Sequence, residues 1–304
     1  MISPTDHTPA DDTNGTGSRD LTAKLTLPQF PRSTAYAPEW MLGNLMGPNA
    51  VWLMEALSEA MDLRPGMRVL DMGCGRAISS VFLAREFGLQ VWAADLWIKP
   101  TDNWQRIQEA GLSDRVFPIS AEAHALPFAD DFFDAIVSVD AYHYFGTDDL
   151  YMRRFARLVK PGGQLGIVVP GLTRELDAGE DKHGADEHGE GGGLPAHLAP
   201  FWAPDCWSLH SPAWWRRHWT RSGAVEVETA DLLPDGWRSW LLWLEVAGEH
   251  GYPTSPDEAE IKLYVKENLA RHKVPRDVVF IDELPRNATG KLLRRVLVEM
   301  DVDS

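Results

Sequence analysis

Basic residues are scarce in this chain: 29 Lys and Arg stand against 45 Asp and Glu in 304 residues, a formal net charge of −16. Such a balance repels polyanions unless a basic face is segregated, so nucleic acid is not an expected partner. Cysteine is nearly absent too. Cys74 and Cys206 are too few for a disulfide framework, and neither lies in a CxxC pair that would point to zinc. A reducing cytoplasm is the expected compartment. No apolar run reaches the roughly 20 residues that span a bilayer, and "MISPTDHTPADDTNGTGSRD" at the start has neither a basic opening nor an apolar core. No membrane partner is expected.

What is present is a chain 44% hydrophobic, long enough for one sizeable domain and a smaller appendage. Residues 1–20 carry too few large apolar side chains to offset the entropy of ordering and read as a disordered leader. From Pro38 the spacing of Trp40, Met41, Leu45, Val51, Leu53 and Leu57 predicts two short helices, broken at Gly47 and Pro48. After these, strand-like runs "MRVLDM", "LQVWAADL", "RVFPIS", "FDAIVSVD" and "GQLGIVVPG" alternate with helical periods over 79–87, 104–110 and 148–158. Alternation of this kind predicts an α/β fold, a doubly wound, mostly parallel sheet with right-handed crossovers. Residues 177–193, rich in glycine, acids and histidine, read as a flexible loop. His183 and His188 within it read as solvated rather than as metal ligands, and no metal is expected. An aromatic block over 201–219, a strand "AVEVETADLL" and a Trp-rich segment follow. Beyond Pro253 and Pro256, which mark a boundary, a helix over 257–272 and a strand "DVVFID" are expected.

"VLDMGCG" places Asp71 at the end of the first strand, with Gly73 and Gly75 in the turn before a helix. Glycines there admit a ligand close to the backbone, and the helix start offers unpaired N–H groups. An ordinary tight strand-to-helix link has the same local form. As a site, an acid ahead of the glycines disfavours a pyrophosphate and suits an ammonium. Asp95, ending "VWAAD" about 20 residues on, suits the two hydroxyls of a ribose. The ligand then joins an amino acid to a nucleoside. A nicotinamide dinucleotide is the weaker alternative, because the pattern is not GxGxxG.

With "ALPFADDFFDAIVS" and "LVKPGGQLGIVVPG" in the expected order, residues 67–171 resemble class I S-adenosylmethionine-dependent methyltransferases, and the resemblance extends over Phe30 to Trp243. It implies a Rossmann-like methyltransferase fold over residues 21–252 with a helical, aromatic cap. It further implies S-adenosylmethionine as cofactor, with Asp71, Gly73 and Gly75 on the methionine portion and Asp95 with Leu96 on the ribose. Glu122 and Ala123 would lie at the adenine edge and Asp140 at the strand end facing the sulfonium; "STAYAPEWMLGNLMG", residues 33–47, resembles the part of the family that closes over the cofactor, with Tyr36 near the methyl group. The third glycine of the family turn is Ala77 here, which the family conformation tolerates if its φ is negative. Cys74 is read as a small side chain of the turn rather than a nucleophile.

Methyl transfer is an in-line displacement, so alignment supplies most of the rate and a base is required only when the acceptor must lose a proton. "DAYHYF" follows the fourth strand, and His143 is the candidate base with Tyr142 shaping the pocket alongside Tyr144. The plainer alternative is a histidine bonded to a neighbouring loop. The tryptophans between 202 and 219 are either a lid's own packing or the wall of a pocket for a small acceptor, apolar or amine-bearing.

The tail, "DEAEIKLYVKENLARHKVPRDVVFIDELPRNATGKLLRR", resembles the end of the C-terminal subdomain of acyl-CoA synthetases and other adenylate-forming enzymes, and so makes residues 253–304 a partial, short α+β appendage. By that resemblance Lys291 matches the lysine that contacts the acyl carboxylate and phosphate. Nothing else here binds the phosphate, so ligase activity of this chain alone is not expected. "DVVFID" either completes the sheet as an edge strand or belongs to a loosely packed fusion remnant. The reading is therefore a methyltransferase acting on a small molecule. The alternative is a cofactor-binding or interaction protein without turnover, its tail docking an adenylate-forming partner.

Overall fold

The computed structural model describes residues 20–176, 194, 198 and 202–252. The expected leader, the 177–193 loop and everything assigned to the tail beyond residue 252, including the helix, the "DVVFID" strand and Lys291, lie outside the described residues.

Five strands form one parallel sheet in the order β3-β2-β1-β4-β5: β1 (Arg68–Met72), β2 (Gln90–Asp95), β3 (Val116–Ser120), β4 (Phe133–Val139) and β5 (Val159–Val168). Asp71 pairs in register with Ala93 on β2 and with Val137 on β4. These central strands are covered on both faces, which is why they read as nearly continuous apolar runs. Strand order reverses between β1 and β4, and in open α/β sheets ligands bind at the carboxyl ends of the strands flanking such a reversal.

Helices α1 (Pro38–Gly43) and α2 (Ala50–Ser58) precede the sheet, as the apolar spacing predicts. Pro38 starts α1 at a position where its missing N–H costs nothing. Asn49 caps α2, its Oδ1 accepting from the N–H of Val51 at 3.0 Å and of Trp52 at 3.2 Å. Helix α3 (Ile78–Phe87) follows β1 and is buried from Ile78 through Ala84; Gly88, at φ 66°, ends it. Helix α4 (Pro100–Glu109) follows β2, and the short α5 (Tyr151–Ala156) precedes β5.

The cap is aromatic. Helix α6 (Pro212–Ser222) buries Trp215 and His218, and Trp215 sets its ring 5.6 Å from that of Tyr142 on the sheet side. The strand expected at "AVEVETADLL" is not formed. Val225 and Val227 are half-buried between exposed neighbours, as a strand would have them, but no ladder bonds form. Val225 packs on the cluster around Trp215, and the Val227 carbonyl is taken by the Arg216 guanidinium at 3.0 Å. The side-chain alternation is real; among the described residues no neighbouring backbone pairs with it.

The Trp-rich segment is helix α7 (Gly236–Glu249). It returns to the amino-terminal helices: Trp243 lies edge-on to Trp52 at 5.7 Å, Trp52 stacks on Phe30 at 5.5 Å, and Lys24 pairs with Glu249 at 2.8 Å. The compact unit containing all these elements ends at His250. Among the described residues no helix is long and apolar enough to cross a membrane.

Candidate functional site

A cavity of about 310 Å³ opens at the carboxyl ends of β1, β2, β3 and β4, at the strand-order reversal. Its floor is the turn Met72–Arg76. Gly73 and Gly75 adopt φ 73° and 52°, and the N–H groups of Gly73 and Cys74 both donate to the Ala94 carbonyl, at 2.8 and 3.1 Å. A Cβ at Gly73 would collide with Ala141, so the left-handed turn packs directly against the start of the loop after β4 and tolerates no side chain there. Ala77 takes φ 60°, the left-handed conformation, and so does not meet the condition of a negative φ stated above. Its methyl is wholly buried, and the chain carries the strain of a non-glycine residue at that point.

Asp95 ties the two loops together. Its Oδ2 accepts from Gly75 N–H at 2.8 Å, and its Oδ1 accepts from Trp97 and Ile98 N–H at 2.8 and 2.9 Å. A carboxylate offers about four acceptor positions, so one remains for a ligand hydroxyl. Leu96 and Ala123 line the same wall. Beside them, Glu122 holds His124 through Nδ1 at 2.8 Å and through the backbone N–H at 2.9 Å, and this bond to His124 draws its pKa down. Asp140 stands at the end of β4 with φ 55° and also lines the cavity; desolvation lifts its pKa to about 7.

Other residues singled out from the sequence lie off this wall. Asp71 is 0% exposed, and its Oδ2 accepts from the hydroxyls of Ser79 and Ser80, each at 2.6 Å. From beneath the turn it fastens the first turn of α3. Burial raises its pKa to about 6, against the two serine hydroxyls that hold it down. Tyr36 is buried between Trp40 and Phe82 and donates to Glu86 at 3.0 Å. Tyr142 and His143 open the 3₁₀ turn Tyr142–Tyr144 and both point inward. Tyr142 lies among Phe145, Tyr151, Phe155 and Trp215, and its burial raises the phenol pKa. His143 is buried against the Tyr144 ring at 4.0 Å, and desolvation lowers its pKa to about 4, opposed by Asp205, so the ring is neutral near pH 7. It is Tyr144, the third residue of the turn, that reaches the cavity.

The roof comes in part from residues 33–47, the stretch whose resemblance implies closure over the cofactor, and in part from a helix whose role the sequence does not show. Met46, Gly47 and Pro48, between α1 and α2, close over the turn, and Trp243 of α7 donates from Nε1 to the Gly47 carbonyl at 3.0 Å. Arg106 of α4 holds Asn44 at 2.9 Å, and buried Asn103 donates to the Gly75 carbonyl at 2.9 Å. A buried asparagine on the apolar face of α4 is the one clue to this support that the sequence offers.

The cavity suits S-adenosylmethionine on its own chemistry. The Gly73–Gly75 turn presents its backbone to the cavity, Asp95 offers an acceptor to hydroxyls, and the carboxylates of Asp95 and Glu122 set a negative field that favours a cation over a pyrophosphate. The family model described as "Methyltransferase domain" matches residues 69–163, which hold the turn, Asp95, Glu122 and Asp140. A second model, "AMP-binding enzyme C-terminal domain", matches residues 235–291; of this range, α7 belongs to the compact unit described above. Methyltransferase GfsG of Streptomyces halstedii is 37% identical over 126 residues, 41% of this chain and 45% of that protein. The demethylmenaquinone methyltransferase of Corynebacterium efficiens is 32% identical over 122 residues, 40% of this chain and 49% of that protein. The chain thus spans about half the length of the curated relatives it matches. Among solved structures, phosphoethanolamine N-methyltransferase 2 of Haemonchus contortus, in complex with S-adenosyl-L-methionine, aligns with a TM-score of 0.56 at 21% identity, covering 76% of this chain and 50% of that one. The [4+2]-cyclase SpnF aligns with a TM-score of 0.51 at 20% identity, covering 74% and 72%. These two likenesses establish the fold. The matching sequence identifies residues 69–163 as a class I S-adenosylmethionine-dependent methyltransferase domain.

Proposed function

We propose that this chain transfers the methyl group of S-adenosylmethionine to a small acceptor with an apolar body, entering past the packed rings of Trp97 and Tyr144. The observation that carries the reading is the Gly73–Gly75 turn stitched to Asp95 beneath a closed roof. In this reading the turn holds the methionine portion, Asp95 takes a ribose hydroxyl, and Leu96 with Ala123 flanks the adenine next to Glu122. Bound there, the cofactor supplies an electrophilic methyl group. The protein supplies alignment, and the roof and aromatic rim keep water from the reacting atoms.

The mouth supports an apolar acceptor. Trp97 is 61% and Tyr144 54% exposed, their rings lie 6.0 Å apart, and Leu96 and Met46 stand exposed beside them. Neutral His143, packed behind Tyr144, acts here as a support that orients the turn rather than as the base. The free Cys74 and Cys206 accord with a reducing cytoplasm.

Because the same fold also serves a [4+2]-cyclase, binding and turnover are measured separately. The test of turnover is transfer of labelled methyl from S-adenosylmethionine to a panel of aromatic hydroxyl and amine compounds by the full chain. Label in product, lost in Gly73→Ala, supports the reading. Cofactor binding with no transfer to any of the panel overturns it in favour of a binding protein.

A further inference from the structure

The carboxylates lining the cavity differ in one respect. Asp95 holds three backbone N–H groups and Glu122 holds His124 twice, whereas no donor among the described residues reaches the side chain of Asp140. Its backbone N–H donates to the Val168 carbonyl at 2.8 Å, which fixes the residue at the end of β4. The chain holds it there at φ 55°, a conformation unusual for a non-glycine residue. The roof presses on it as well: a Cβ at Gly47 would collide with Asp140 Oδ2. A half-buried carboxylate in the cavity wall with no donor among the described residues is poorly stabilised as an anion, and it is eased by taking up a proton or by meeting a positive charge.

Resting on the reading of the cavity given above, we propose that Asp140 is a proton-carrying group that shares its time between the protonated and ionised forms in the empty cavity near neutral pH and ionises fully when a positively charged cofactor enters. The acceptor side of the site thereby becomes fully charged only once the cofactor is in place. Acceptors that donate a hydrogen bond, a hydroxyl or an amine, are the class such a carboxylate suits.

The charged and titratable groups around it are consistent with this behaviour. Tyr144, on the turn after β4, is the one whose own titration Asp140 perturbs, and it stays neutral because burial and Asp140 both raise its pKa. The remaining ionisable groups of the wall, Asp95, Glu122, His124 and Arg76, contribute nothing resolved to Asp140, whose shift has desolvation as its cause.

S-adenosylmethionine and S-adenosylhomocysteine provide the test, because they share one shape apart from the methyl group and differ in the sulfonium charge. Each is titrated calorimetrically into the full chain at pH 7 in two buffers of different ionisation enthalpy, which counts the protons exchanged. In the unsubstituted protein, S-adenosylmethionine should release on the order of half a proton more than it does in Asp140→Asn, as expected of a group half-ionised near that pH. S-adenosylhomocysteine should give equal counts in the two proteins and bind both with affinities within about threefold of each other. Equal S-adenosylmethionine counts with and without the carboxyl would overturn the proposal while leaving the cofactor reading standing. Failure of both ligands to bind the unsubstituted chain would overturn the cofactor reading itself.

Discussion

Trp243 Nε1 donates to the Gly47 carbonyl at 3.0 Å across 196 residues of chain, and this single bond fixes the roof of the cavity to the last helix of the compact unit. Trp243→Phe keeps most of the ring packing on Trp52 and removes the bond. A hydrogen bond of this kind is worth about 1 kcal/mol, so S-adenosylhomocysteine affinity should weaken by about three- to tenfold with little change in melting temperature. Trp243→Ala, which empties the core beside Trp52, should instead cost about 3–5 kcal/mol of stability. Calorimetry and thermal unfolding on the two variants separate these effects; equal affinity in Trp243→Phe would mean that the roof does not depend on the bond.

Gly73 has no room for a side chain and a backbone that disfavours one. Gly73→Ala should cost about 2 kcal/mol or more in strain and displacement, and ligand binding should fall below detection even where the fold survives. Retained binding would place the ligand elsewhere than on this turn.

At Ala77 the expectation runs the other way. Replacing a buried alanine with glycine ordinarily costs burial and unfolded-state entropy, together about 1–2 kcal/mol. Here the glycine also relieves a left-handed residue of about 1–2 kcal/mol, so Ala77→Gly should be nearly neutral in chemical denaturation. A loss above about 2 kcal/mol would show that the Ala77 methyl matters more than its φ.

Asp140 also has a stability signature. Its pKa rises from 3.8 to about 7 on folding, so the folded chain binds more protons than the unfolded chain between these values. Stability from this group is therefore fully present below about pH 4 and is lost as pH rises towards 7. Asn cannot ionise, so Asp140→Asn should match the unsubstituted protein near pH 4 and exceed it above pH 7 by on the order of 2 kcal/mol. Unfolding curves at pH 4, 6 and 8 check this; a constant difference across the range would contradict it.

The sheet and the floor of the site were legible because their determinants are local. The strand runs are apolar, and Gly73, Gly75 and Asp95 sit within one strand-turn-helix-strand passage. The roof was legible only in part: the stretch 33–47 resembles a closing segment, but its tie to α7 was not readable, because Gly47 and Trp243 meet only in the folded chain. At "AYHYF" the sequence offers three neighbouring polar aromatics without phase; the 3₁₀ turn sends Tyr142 and His143 into the core and Tyr144 to the cavity. Asp71 shows a similar limit. An acid ahead of the glycines reads as a ligand contact; Ser79 and Ser80, at the start of α3, take its Oδ2 from within, and Oδ1 is left without a partner among the described residues. The strand expected over 224–233 had the right alternation and no partner backbone, a property that no single segment reveals.

If the Gly73–Gly75 turn and Asp95 form a nucleoside-amino acid site, a calorimetric titration of the full chain with S-adenosylhomocysteine, repeated on Asp95→Ala, shows it without any acceptor. Micromolar binding is expected, weakened at least about 30-fold in the variant, the loss of roughly 2 kcal/mol that follows from removing a charged hydrogen-bond acceptor. Undiminished affinity in Asp95→Ala, with the fold intact by circular dichroism, would contradict it.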